Sequence, residues 1–187
     1  MNVLLIALDT VRADHLSCYG YHRRTSPNLD RLAAEGVLCE RMYAPGIPTQ
    51  PSYTTIFTGQ YSITHGIVTH GGEAELSKEA PWFPRILQQH GYTTCAVSNL
   101  WRMKPWFAWG FEFYVDPSHR TPYLHSVDAE TINSRAIPWL KAHARERFFL
   151  FVHYWDAHTP SGPTGGARDN LRQKLAPVGG GEKRESR

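Results

Sequence analysis

The chain has 187 residues, 41% of them hydrophobic and 12% aromatic, with a formal net charge of +3, which suits one globular domain with a sizeable core. Its excess basic residues gather in the last stretch, from Arg168 to Arg187, rather than among aromatics, which argues against a nucleic-acid partner. Cys18, Cys39 and Cys95 are widely spaced and include no Cys-x-x-Cys pair, which argues against a disulfide framework or structural zinc site and fits a reducing compartment.

Met1 to Asp9 is apolar but lacks a basic leader, and its acid arrives too early for a signal peptide or a membrane span. A cytoplasmic location with no membrane partner is the expectation. Val3 to Leu8 is a continuous apolar run ended by Asp9, which predicts a strand buried on both faces of a parallel sheet. Thr25 to Gly36 offers an N-cap, Pro27 at the first helical position, helical apolar spacing and a closing glycine, which predicts a short helix.

Val37 to Tyr43 is a candidate second strand, and Ala44 to Gln50 a proline-rich loop. Pro51 to Gly59 predicts a proline-initiated helix, so residues just before it face its positive end. Gln60 to Ala80 is expected to be loop, Pro81 to His90 helix and Thr93 to Ser98 strand. Trp101 to Tyr123 is aromatic and irregular. Asp128 to His143 predicts an amphipathic helix that Pro138 can kink, and Phe148 to Trp155 a last strand ending at Asp156.

Strands alternating with helices indicate an α/β fold with a largely parallel sheet flanked by helices. Residues 1–160 form the expected folded part. Residues 161–187, rich in glycine and charge and poor in large apolar residues, are expected to be a disordered tail.

Asp9 ends a buried strand, where open α/β sheets place ligand and metal groups. A carboxylate there can hold a divalent cation or cap the following turn. Thr49 and Ser52 place two hydroxyls at a helix start, where backbone N–H groups and the helix dipole favour an anion, although such residues are commonly plain caps. Coordination to a cation can turn the Thr49 hydroxyl into a nucleophile. His65, His70, His153 and His158 can serve as acids, anion-binding groups or metal ligands. Zinc-protease, serine-esterase and phosphate-loop motifs are missing.

The order of these segments resembles the N-terminal part of the sulfatase family, within the alkaline-phosphatase superfamily. Asn2-Val3-Leu4-Leu5-Ile6-Ala7-Leu8-Asp9-Thr10 is similar to its first strand and metal loop. Cys18-Tyr19-Gly20-Tyr21, the Thr25–Gly36 stretch, Thr58-Gly59-Gln60-Tyr61 with His65-Gly66, and Phe148 to Pro160 match its later landmarks. The resemblance implies a metal-dependent hydrolase of sulfuric or phosphoric esters, phosphonates included, acting on a small-molecule ester. It makes Asp9, Thr10 and Thr49 the metal-side residues, Thr49 the nucleophile and His158 a catalytic group that binds the transferred group. Ser52, His65 and His153 are further candidates for the substrate anion. The cofactor implied is a divalent cation, with Ca, Mn, Mg and Zn all open.

The chain departs from the family pattern in several places. The family's nucleophile is a Cys or Ser converted to formylglycine and followed by Pro, Ser and Arg; here Thr49 precedes Pro51-Ser52-Tyr53, and threonine cannot become that aldehyde. Thr49 therefore points towards the phosphodiesterase and phosphoethanolamine-transferase branches. No lysine aligns near Ser98 and Asn99, leaving Lys104 as a loose candidate, and Thr10 stands where many members carry a second Asp. The later Asp-Asn or Asp-His ligand pair is also missing, since Asp169-Asn170 follows no strand. The expectation is thus a truncated hydrolase, with a catalytically inactive remnant or anion-binding module, or a phosphoryl-group transferase, as the alternatives.

Overall fold

The computed structural model describes residues 1–118 and 127–158. The predicted tail, with Asp169-Asn170, lies outside the described residues. Four strands, β1 (Val3–Leu8), β2 (Thr93–Val97), β3 (Phe113–Val115) and β4 (Phe148–Tyr154), form one parallel sheet in the order β1-β4-β2-β3. The expected α/β architecture is present. All four strands run the same way, so the residues that follow them collect along one edge of the sheet.

β4 is the buried centre, because Phe148 to Val152 has apolar side chains on both faces and helices cover both. One face packs Phe149 and Phe151 against α2 (Thr49–Thr58), α4 (Phe83–Gln89) and the aromatic stretch that holds Trp106 and Phe107. Phe57 lies 5.0 Å from the Phe151 ring and 5.1 Å from Trp82, in tilted or edge-on contacts, the geometry that aromatic quadrupoles prefer. The buried tryptophans keep their N–H groups bonded, Trp82 to the Trp109 carbonyl and Trp106 to Thr54 Oγ1. On the other face, Ile132 and Ala136 of α5 (Ala129–Ala142) cover Cys95, Val97, Leu150 and Val152. Asp128 caps α5 by accepting the Thr131 N–H at 2.8 Å, as its position before the helix predicts.

Two strand expectations change. β1 is an edge strand whose burial alternates, with Leu4, Ile6 and Leu8 exposed at 48%, 52% and 40%. α5 lies over β4 and β2 and leaves the outer face of β1 uncovered, so apolar composition alone overstated its burial. Val37 to Tyr43 is not a strand: Val37 is 91% and Tyr43 81% exposed, and an extended segment without a partner gains no ladder hydrogen bonds.

Helix boundaries move slightly. α1 spans Pro27–Glu35, and α2 begins at Thr49 with Pro48 as its N-cap, two residues before Pro51. The predicted loop contains a short helix, α3 (Ser62–His65). The stretch from Trp101 holds 3-10 turns and β3. No helix among the described residues is long and apolar enough to cross a membrane.

The three cysteines are free. Cys95 is completely buried, and burial pushes its thiol up to about 12, so its nucleophilic thiolate is scarce. Iodoacetamide on the folded chain is expected to alkylate the exposed Cys39 and spare Cys95. Peptide mass spectrometry before and after denaturation checks this, and early Cys95 labelling would contradict the packing.

Candidate functional site

The site lies where β1 ends and α2 begins. Asp9 leaves β1 with its N–H bonded to the Tyr154 carbonyl at 3.0 Å, which ties it to β4. Thr10 follows with a φ of 63°, a left-handed conformation that a β-branched residue adopts at a cost of about 1–3 kcal/mol. This turn places the Thr10 hydroxyl 3.0 Å from Asp9 Oδ1. Thr49, forty residues along, donates its hydroxyl to Asp9 Oδ2 at 3.5 Å. The fold therefore brings together two residues that the sequence leaves far apart.

Thr49 opens α2, next to the cis Ile47–Pro48 bond. Pro51 has no N–H, and the Ser52 N–H bonds the Pro48 carbonyl, so Thr49 and Gln50 supply the remaining donors of the first turn. A groove of about 500 Å³ runs across this point, lined by Asp9, Thr10, Thr49, Ser52, Tyr53 and His158 among others. His158 closes one side, with its ring 5.5 Å from Trp155 and its N–H bonded to the Trp155 carbonyl at 2.8 Å.

Burial works to raise the Asp9 carboxyl, but the close approach of the His153 imidazole, the hydrogen bond from Thr10 and the electrostatic pull of His153 and His158 outweigh it and hold Asp9 below its ordinary range. Asp9 is therefore ionised at neutral pH. Burial pushes His153 down, with the Asp9 carboxylate opposing.

The other candidates divide. Ser52 lines the groove beside Thr49. His153 is 1% exposed, under Tyr53, Phe151 and Trp155, so the buried ring is closed to a substrate anion and faces Asp9 instead. His65 is also buried and has both ring nitrogens engaged, with Thr55 Oγ1 at 3.0 Å and the Ile67 N–H at 3.1 Å; it fastens α2 to α3 away from the groove. Lys104 is held by the Gly72 and Ala74 carbonyls at 2.9 and 3.2 Å and lies 5.3 Å from the Trp106 ring. Its ammonium group is thereby anchored outside the groove. Asn99 is buried and bonded to Trp155 and Ser118.

Among the described residues no group of three or more His, Cys, Asp or Glu could hold a metal ion. What Asp9, Thr10 and Thr49 supply is one carboxylate and two hydroxyls, oxygen donors that fit part of the shell of a hard divalent cation. In the sequence Tyr53 and Ser98 stand only as departures from the family pattern, and nothing there links either one to His153. Their closeness to His153 comes from strands and helices meeting, and no local spacing encodes it.

A parallel sheet of this order, with an acid after β1 and a hydroxyl at the start of the facing helix, defines a protein of the alkaline-phosphatase-like fold. The structure of BT4656 in complex with its substrate D-glucosamine-2-N,6-O-disulfate superposes with a TM-score of 0.72 at 23% identity, over 84% of this chain and 35% of that one. The phosphonate monoester hydrolase of Agrobacterium radiobacter gives 0.67 at 21% identity, over 87% and 42%. The sulfatase family profile matches residues 1–169, and the chain belongs to the sulfatase family. The N-acetylglucosamine-6-O-sulfatase of Bacteroides thetaiotaomicron is 30% identical over 174 residues, 83% of this chain and 30% of that protein. Human arylsulfatase D is 35% identical over 107 residues, 52% and 18% respectively. The chain thus spans less than a third of the length of these two relatives.

Proposed function

We propose that this chain carries the nucleophile side of a metal-dependent ester hydrolase, with Thr49 as nucleophile and phosphate or phosphonate esters as the favoured substrates over sulfate esters. The observation that carries the reading is the approach of Thr49 Oγ1 to Asp9 Oδ2, 3.5 Å apart at the positive end of α2 and in an open groove with His158.

Asp9 and Thr49, with Thr10 beside them, would hold a divalent cation. Bound there, the cation supplies positive charge that lowers the pKa of the Thr49 hydroxyl. Asp9 orients that hydroxyl by accepting its hydrogen bond, and the first-turn amides of α2 attract the ester's anionic oxygens. As the Thr49 Oγ–P bond forms, the hydroxyl proton passes to the Asp9 carboxylate that accepts its hydrogen bond, the ester P–O bond breaks, and His158 donates a proton to the departing oxygen. Water then attacks phosphorus and gives a proton to His158, the Thr49 Oγ–P bond breaks with the Asp9 proton returning to Thr49, and phosphate or phosphonate leaves. The substrate preference follows from Thr49, whose Cβ carries a methyl group and cannot be converted to formylglycine.

Tyr53 and Asn99 stand where the family pattern has cationic residues, and Lys104 is anchored elsewhere. These features favour a second reading, an anion-binding module without turnover.

One assay separates the two. The purified chain is given p-nitrophenyl phenylphosphonate, bis(p-nitrophenyl) phosphate or p-nitrophenyl sulfate with Mn²⁺, before and after EDTA. Turnover of the phosphorus esters that falls at least about a hundredfold with EDTA supports the hydrolase. Phosphate binding by calorimetry without turnover supports the module, and neither activity nor binding sinks both.

A further inference from the structure

A row of polar side chains crosses the whole sheet just beneath the groove and ends at Asp9. Its members are Tyr114 of β3, Ser98 after β2, His153 of β4 and Asp9 after β1, one from each strand in sheet order. Ser98 Oγ accepts the Leu100 N–H at 3.2 Å and lies in hydrogen-bonding reach of the Tyr114 hydroxyl. It also sits 3.3 Å from His153 Nδ1.

The Leu100 N–H takes one lone pair of Ser98 Oγ and leaves its proton able to turn to Nδ1, while the Asp9 carboxylate facing Nε2 can only accept, so Nδ1 acts as the acceptor. The imidazole proton is left on Nε2. Nε2 has no hydrogen-bond partner, is fully buried, and faces Asp9 Oδ2 at 3.6 Å. A buried N–H that goes unpaired costs about 1–3 kcal/mol, which favours closing this gap onto the carboxylate. Rings at 4.8 Å (Tyr53) and 4.5 Å (Trp155) wedge the imidazole in this orientation. Asp9 is then approached by three donors from separate directions: Thr10 at Oδ1, and Thr49 and His153 at Oδ2.

We propose that His153 is a positioning residue: held in its Nε2–H tautomer by Ser98, it orients the Asp9 carboxylate towards Thr49 from inside the core. Its functional consequence rests on the reading of Asp9 as a metal-side residue. Ligand-bearing carboxylates fixed in this way from behind lose roughly 10- to 100-fold in metal affinity when the supporting group is removed.

The test uses ring-¹⁵N NMR of the metal-free chain, then Mn²⁺ binding by calorimetry. A single Nε2–H tautomer is expected at His153, with its proton resonance moving upfield in Asp9→Ala and the tautomers mixing in Ser98→Ala. An Nδ1–H tautomer, or a resonance indifferent to Asp9→Ala, overturns the proposal without any variant of His153 having to fold. In the binding arm, His153→Phe is expected to weaken Mn²⁺ by roughly 10- to 100-fold. His153→Gln, whose amide N–H reaches the Nε2 position, is expected to restore most of it. Equal Mn²⁺ affinity for parent and His153→Phe overturns the positioning role. Failure of the parent to bind Mn²⁺ overturns the ligand reading of Asp9, while the ring spectrum still decides the contact.

Discussion

Thr49→Ala is expected to lower turnover of a phosphonate or phosphate ester by roughly 10⁴-fold or more, the scale on which removal of an attacking atom acts. The methyl group that remains cannot attack, and Asp9 loses the hydroxyl it faces at 3.5 Å. Thr49→Ser keeps the oxygen on the same helix start and is expected to retain turnover within about tenfold. Stability should barely change, because alanine suits the first turn of a helix and Thr49 is only partly buried. Steady-state kinetics on the three proteins, alongside their unfolding midpoints, makes the comparison. Thr49→Ala activity within tenfold of the parent would remove Thr49 from the chemistry.

Gly110→Ala is expected to be the most damaging small substitution in the aromatic half of the core. Gly110 has a φ of +73°, and an added Cβ would run into the backbone nitrogen and Cα of Arg85 and come 2.7 Å from the Pro84 carbonyl carbon. These are backbone atoms at the start of α4, so relief requires the helix itself to shift away from the Trp82–Trp109 packing. We expect a loss of about 3 kcal/mol or more, combining left-handed strain with overpacking. Gly20→Ala is the control. Its φ is +89° with nothing within 4 Å, so it carries backbone strain alone, about 1–2 kcal/mol. Urea unfolding of both variants separates the contributions, and equal losses would show that close packing at Gly110 is not the cause.

Much of this protein was legible along the chain. Apolar runs that stop at an acid marked β1 and β4, because strands of a parallel sheet are drawn from apolar residues and shed their polar groups at their ends. Pro27 and Gly36 framed α1, since proline fits the first helical turn and glycine a helix exit. Asp9 and Thr49 were nameable as site residues because each sits at an element boundary within an ordered family pattern.

Sequence determined the approximate extents of β1, α1, α5 and β4, the Asp128 cap and the family to which the chain belongs, because these depend on local backbone chemistry and on motif order. Only the tertiary structure decided how much of β1 is covered, that Val37 to Tyr43 finds no strand partner, and that His65 and Lys104 are tied down outside the groove. It also decided that His153 faces Asp9 from within the core. Those outcomes depend on which element packs over which face and on which buried donor meets which acceptor, relations between residues far apart in the chain that no local pattern records.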